Sequence, residues 1–440
     1  MILDDQLPEL QAYRVLERKF PIVAEAHLAR LVVPSTAGET PIHRWFKFKE
    51  GFSPDLISTI VDEFVDRSSV TLLDPFCGGG TSLLAAQELS ASGRDISAMG
   101  IERNPFIAFV ARTKLSWPHI DHRRLLQRGA AAIRRSHRQP QPIPTLSSLL
   151  TGRCMSRYMS SRILAVAAAI RSEVSGPERD VLLLGLSACI EPMSRTRRDG
   201  RALRLVDKPP QRLSALLLGE WAQIAADIEL RQRTRSRIRG DFLVLEGDGR
   251  NPKASGVTPG SVDVIVTSPP YPNNIDYSEV YKLELWLLGH VTSADAFLEL
   301  RRTTFRSHPT CAPAAENAAY ESSVRHGELA PSVGRLRLRL RRAKEHQRLK
   351  VLDGYCSDLW TALTAHYTSL RRGGIAAYVV GNSLHGSSSS SPYVIATDLL
   401  LAEMGSSLGF RVERVGIARS LTRRISGNHF LRESLVVLRK

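Results

Sequence analysis

The 440-residue chain carries 60 lysines and arginines against 44 aspartates and glutamates, a net charge of +16 and a sequence pI near 10.0. With 43% hydrophobic residues it is too apolar for disorder to be its main state, and it can bury a sizeable core in one large domain with insertions or in roughly two to three domains. No apolar run approaches the roughly 18 residues of a membrane span, so a soluble cytoplasmic protein is expected. Residues 1–10 hold acids and no basic segment, so a secretory leader is not expected. The five cysteines (Cys77, Cys154, Cys189, Cys311, Cys356) are widely spaced with no CxxC pair, which suggests neither a zinc site nor a disulfide scaffold and fits a reducing compartment. The basic balance points to a polyanion, nucleic acid foremost, although a merely basic protein has the same composition.

Short β-like runs recur along the chain beside helical patterns. Residues 70–76 (VTLLDPF) form an apolar run that ends at a glycine cluster, a helix is predicted at 82–89, and 97–104 (SAMGIERN) form a second run. Residues 116–239 then break the alternation with an arginine-rich stretch that reads helical at 161–173, 180–189 and 213–231. Strand-like runs resume at 241–248 (DFLVLEGD) and 261–271 (SVDVIVTSPPY). Residues 290–350 are a second departure, with Arg335, Arg337, Arg339, Arg341 and Arg342 close together. Such two-residue steps line one face of an extended segment and would spread around a helix. For both departures a solvated charged surface is the alternative to a contact role. Runs at 375–383, 410–418 and 434–439 complete the set, and the serines at 387–391 read as a flexible loop. Near-continuous apolar strands interleaved with helices predict an α/β domain with a seven-stranded, mostly parallel, doubly wound sheet covered on both faces.

Two motifs sit at predicted strand ends. The first, Asp74-Pro75-Phe76-Cys77-Gly78-Gly79-Gly80-Thr81, joins a strand to a helix, and Glu102 ends the next strand. Glycines allow a tight turn and close approach of a ligand, and an acid about 20 residues on suits ribose hydroxyls. Neither GxxxxGK[ST] nor GxGxxG is present, and a bare structural turn is the alternative. The second motif is Thr267-Ser268-Pro269-Pro270-Tyr271. Its prolines remove two amide donors and leave carbonyl acceptors beside the Ser268 hydroxyl, and the Tyr271 ring is expected to stack on a base plane, a compact site for an exocyclic amine. A rigid turn with a buried tyrosine would read the same way.

Together DPFCGGGT and SPPY resemble the amino-methyltransferases of DNA, which methylate cytosine N4 or adenine N6. In that family a DPFxGxGT turn binds S-adenosylmethionine and a [DNS]PP[YFW] run holds the target amine. The likeness covers residues 41–115, 241–290 and 354–440. It implies a Rossmann-like methyltransferase fold with a helical, arginine-rich insertion. It also implies cofactor contacts from Asp74, Phe76, Cys77, Gly78, Gly80 and Thr81 in the turn, and from Glu102 and Asn104 on the ribose side. Asp248 would meet the adenine amine. Phe52 and Ser53 would lie in a segment (43–62) that covers the methionine end. Ser268, Pro269, Pro270 and Tyr271 would form the amine site, and residues 431–440 the last strand. No metal is implied.

In many family members the target-recognition region follows the catalytic motifs. Here almost nothing follows the last strand, so recognition is expected from the insertions. The organisation read this way is 1–115 with the cofactor motifs, 116–239 as a helical insertion for target recognition, 240–289 as the catalytic core, 290–350 as a basic insertion for DNA contact and 351–440 as the rest of the catalytic domain. Arg195, Arg197, Arg198, Arg201 and Arg204 are the candidate DNA contacts, with a solvated loop or a phosphate-only clamp as the alternative. The serine form of SPPY is more typical of cytosine N4 enzymes, since adenine N6 members usually carry aspartate. The expected function is direct methyl transfer to the N4 of a flipped cytosine in duplex DNA, in a restriction-modification setting. Adenine N6, an RNA amine and an inactive DNA-binding scaffold are the alternatives. No cysteine follows a proline, which argues against the covalent chemistry of carbon-5 methylation.

Overall fold

The apolar runs assemble into one sheet, and their burial explains why. The strand Val262–Thr267 is buried at every position, and Arg432–Arg439 at all but the last. Such strands are stable only with both faces covered. The structure is a computed structural model, and it describes residues 8–34, 39–138, 153–198, 203–209, 211–233, 237–272, 275–308, 331–385, 392–421 and 429–440. Arg201, Cys311 and the serines at 387–391 lie outside the described residues.

In chain order the strands are β1 (Ile22–Ala24), β2 (Ser69–Asp74), β3 (Asp95–Glu102), β4 (Thr196–Arg198), β5 (Leu203–Leu205), β6 (Phe242–Glu246), β7 (Val262–Thr267), β8 (Leu370–Gly381), β9 (Ser383–His385), β10 (Tyr393–Ile395), β11 (Arg411–Ser420) and β12 (Arg432–Arg439). The main sheet has eight strands in the order β1-β11-β12-β8-β7-β2-β3-β6. From β6 to β8 all neighbours are parallel, while β12 runs antiparallel to both β8 and β11. The order turns back between β2 and β7, the switch point where doubly wound sheets bind ligands. The seven expected strands are all present. The eighth, β1, pairs parallel with β11 at the edge. It is three residues long with two of them exposed, so it leaves no apolar pattern to read.

The helices that position the site are α1 (Pro8–Lys19), α2 (Asp55–Phe64), α3 (Thr81–Ala91) and α4 (Pro105–Leu115). The stretch 116–239 forms α5 (His122–Ser136), α6 (Arg157–Glu173), α7 (Gly176–Met193), the hairpin β4–β5 and α8 (Leu213–Arg233). Helices α5 to α8 pack on one another, and α7 packs on α4 of the core. Trp221 of α8 is fully buried and lies over Gly129 and Gly185, where a Cβ would strike its indole ring. Its Nε1 donates to the Leu182 carbonyl. The arginines at 335–342 do not line an extended face. They lie on a helix, Pro331–Arg342, so the two-residue steps spread around its axis. Arg337 pairs with Asp353 and Arg339 with Glu9, so both are held against neighbouring helices. Among the described residues no helix is long and apolar enough to cross a membrane.

Candidate active site

The carboxyl ends of β2, β3 and β7 converge on one cavity of about 1060 Å³, open mouth included. Phe52, Asp74, Phe76, Cys77, Gly78, Thr81, Glu102, Asn104, Asp248, Ser268 and Pro270 line it. Ser53, Gly80, Pro269 and Tyr271 do not face it. Ser53 is buried and its amide donates to the Leu31 carbonyl. Gly80 caps α3 in the left-handed region (φ +84°), where a Cβ would also press on Ala111.

Asp74 closes β2 and ties three elements together. It accepts from the Phe76 amide (3.1 Å), the Thr267 hydroxyl (2.6 Å) and the Ser82 hydroxyl. Burial pushes its carboxyl up to about 6, against the pull of these bonds. Glu102 accepts from the Gly78 amide (3.0 Å) through one oxygen and from the Asn104 amide (2.7 Å) through the other. Burial pushes it up to about 7. Asn104 caps α4, accepting from the Phe106 and Ile107 amides, with Pro105 in the first helical turn. The acid therefore touches the glycine turn directly, and cavity, turn and Glu102 form one unit.

Asp248 is engaged differently from the simple acceptor implied by the sequence. Arg250 grips both of its oxygens (Nε to Oδ1 2.9 Å, Nη2 to Oδ2 2.7 Å) and continues to Asp358 (2.9 Å). This pairing holds the Asp248 carboxyl below its ordinary range against burial. The Asp248 loop is propped from behind by His366, which burial keeps neutral by lowering it to about 4. Its Nε2 therefore donates to the Gly249 carbonyl (3.0 Å), and its Nδ1 accepts from the Tyr378 hydroxyl (2.9 Å). A Cβ on Gly249 would overlap the Pro75 carbonyl oxygen far inside contact distance. Gly249→Ala is expected to displace the DPF turn and cut cofactor affinity, which calorimetric titration would measure.

Ser268 stands at the end of β7, on the cavity wall. Its hydroxyl donates to the Tyr271 hydroxyl (3.3 Å), which donates to Glu433 of β12 (3.2 Å), itself held by Arg419 (2.6 Å). The Tyr271 ring lies against Gly381 rather than along the cavity.

Sequence reasoning missed Phe48, Glu50, Tyr277 and His308, which also line the cavity. Phe48 and Glu50 fall in the 43–62 segment without being singled out there, and tertiary packing brings in Tyr277 and His308. Residues 42–52 fold over the glycine turn, with the Phe48 ring close to Gly78 and Gly79 and stacked on Tyr281 (5.9 Å between centroids). This cover is fastened from both sides. The buried Lys114 of α4 donates to the His43 (2.8 Å) and Phe46 (3.2 Å) carbonyls, and burial lowers its ammonium to about 7. Asp227 of α8 accepts from the Ile42 amide (3.1 Å), Trp45 Nε1 (3.1 Å) and the Arg44 guanidinium.

The candidate DNA-contact arginines divide by strand alternation. Arg195, Arg197 and Arg204 are exposed. Arg198 departs from its expected role, because it points inward at 7% exposure. It pairs with Glu191 (3.0 Å) and Glu284 and covers the Phe46 and Tyr281 rings (5.2 and 4.8 Å). It is a buried clamp beside the segment that covers the glycine turn, not a surface cation.

A doubly wound sheet that brings a glycine turn, a buried acid and a serine hydroxyl to one cavity is a Rossmann-like methyltransferase fold, and the methyl donor of such enzymes is S-adenosylmethionine. The chain is 27% identical over 455 residues to the Type II methyltransferase M.AvaI of Nostoc sp. and of Anabaena variabilis, with 91% of this chain and 86% of the relative aligned. It is 25% identical over 320 residues to the Type II methyltransferase M.BsoBI of Geobacillus stearothermophilus, over 64% of this chain and 60% of that one. No family model matches. Among solved structures, the rRNA methyltransferase aviRa from Streptomyces viridochromogenes overlays 88% of this chain and 85% of its own at 12% identity and a TM-score of 0.28, too slight a likeness to bear on fold or function.

Proposed function

We propose that this protein is a DNA methyltransferase that transfers a methyl group to the exocyclic N4 of a cytosine flipped out of duplex DNA. The observation that supports the reading best is the hydroxyl chain from Ser268 through Tyr271 to Glu433. It sends the Ser268 proton away from the cavity and leaves the Ser268 lone pairs as acceptors on the cavity side. An exocyclic amine needs acceptors there. An N–H bond held by Ser268 would help keep the nitrogen from lying flat with its ring, so that its lone pair is available. Bound S-adenosylmethionine supplies an electrophilic methyl group on a sulfonium. The remaining work of the chain is alignment and stabilisation of the positive charge that develops on nitrogen. Asp74 and Glu102 keep the glycine turn in register with the end of β7, which fixes the two binding regions relative to each other.

The choice of N4 rests on the serine of SPPY, and the choice of DNA on the Type II relatives together with the +16 charge. Exposed Arg195, Arg197 and Arg204 supply phosphate or base contacts from the helical insertion. In this role Tyr271 orients Ser268 instead of stacking on the base. Ser268→Ala is expected to slow methyl transfer by roughly tenfold, the worth of one hydrogen bond, while cofactor affinity stays the same. The reading as a whole is tested by incubating the protein with labelled cofactor and unmethylated duplex DNA, then identifying the methylated nucleoside by mass spectrometry. N4-methylcytosine is the expected product. N6-methyladenine would move the target to adenine, and unlabelled DNA with labelled RNA would overturn the choice of DNA.

A further inference from the structure

We propose that Glu50 receives the α-ammonium group of the amino-acid arm of the cofactor. The inference rests on the S-adenosylmethionine reading of the cavity and adds the group that recognises its amino acid. A nucleoside whose ribose sits at Glu102 extends two arms. On one side the cavity wall carries Phe305, Leu300 and the Arg250-neutralised Asp248, which suits a flat, uncharged base. On the other side it carries Phe48, Gly51, Phe52, Thr81 and Glu50. A lone carboxylate on that side is unfavourable beside an apolar ligand and favourable beside a cation.

The other acids of the cavity are already satisfied. Asp74 accepts three hydrogen bonds, Glu102 accepts two amides and Asp248 has its arginine. Glu50 accepts from the Tyr281 hydroxyl (3.1 Å) and is in no ion pair among the described residues. The nearby Arg198 is committed to Glu191 and Glu284. Tyr281 is itself pinned by the Phe48 ring on one side and the Arg198 guanidinium on another, so Glu50 is held in place without being neutralised. Burial pushes its carboxyl above the ordinary range, a cost that a contacting ammonium would offset.

The test compares two ligands on wild type and Glu50→Gln by calorimetric titration. S-adenosylhomocysteine carries the amino acid, while 5′-methylthioadenosine is the same nucleoside thioether without it. Glu50→Gln keeps an oxygen for Tyr281. It is expected to weaken S-adenosylhomocysteine about tenfold or more, the worth of one charge-assisted contact, and to leave methylthioadenosine unchanged. An equal loss for both ligands would make Glu50 a structural prop, and no loss for either would remove it from recognition; both overturn the proposal. If wild type binds neither nucleoside, the cofactor reading itself fails and takes the proposal with it.

Discussion

Glu102→Ala is expected to weaken S-adenosylmethionine binding by roughly ten- to a hundredfold, the worth of hydrogen bonds from ribose hydroxyls to an ionised carboxylate. The same change frees the Gly78 and Asn104 amides that Glu102 now holds, so the turn loosens as the acceptor is lost. Glu102→Gln keeps one acceptor and should lose less. The acid also predicts a pH dependence with a definite sign. Its carboxyl is raised from the ordinary 4.5 to about 7, so at pH 6 the free cavity holds it protonated. A protonated carboxyl accepts poorly, so cofactor affinity should fall as pH drops through 7 and level off above it. Glu102→Gln should flatten that profile. In the unliganded protein the sign for stability is the reverse. Between 4.5 and 7 the folded chain holds a proton that the unfolded chain has released, so this group makes the fold less stable as pH rises across the window. Asp74, raised to about 6, acts in the same direction over a lower window. Titration calorimetry at several pH values checks the first effect, and an affinity that is flat with pH in wild type would refute it.

Asp227→Ala is expected to destabilise the protein by about 2–5 kcal/mol, because it leaves two buried neutral donors and one cation without their acceptor. The donors are the Ile42 amide and Trp45 Nε1, and the cation is Arg44. Arg44 is 29% exposed, so water recovers part of its loss. Residues 42–45 lead directly into Phe48, Glu50 and Phe52 on the cavity wall, so cofactor affinity should fall along with stability. Denaturant unfolding measures the first effect and ligand titration the second. Asp227→Asn retains one acceptor oxygen and should fall between the variant and wild type. A stable Asp227→Ala protein with full affinity would show that Lys114 alone suffices to hold the cover.

The sheet was legible because its strands are buried on both faces, and continuous apolar runs such as VDVIVT leave little choice of structure. The glycine turn, Glu102 and Ser268 were legible because each lies at a strand end, where a short motif and a fold position coincide. What escaped reading depends on contacts distant in sequence. Glu50 reaches the cavity because Asp227 and Lys114, residues 177 and 64 positions away, hold the segment before it. Strand alternation in β4 sends Arg197 out and Arg198 in, and no count of arginines separates the two. The arginines of 335–342 left strand and helix open for a related reason. A two-residue repeat fits a strand, but leucines at 336 and 340 are one helical turn apart and bury together, and this decides the matter.

The attachment of Asp227 bears on how such a protein can be re-engineered. The helices α5 to α8 look like a detachable block inserted between β3 and β6. They supply the acceptor that anchors the segment over the glycine turn, and β4 supplies the clamp on Tyr281. A graft that swaps this block for one from another enzyme would import a new surface and at the same time unfasten the roof of the pocket. Successful chimeras would therefore have to transfer 42–52 together with the block, or place an aspartate at the equivalent turn of the incoming helix.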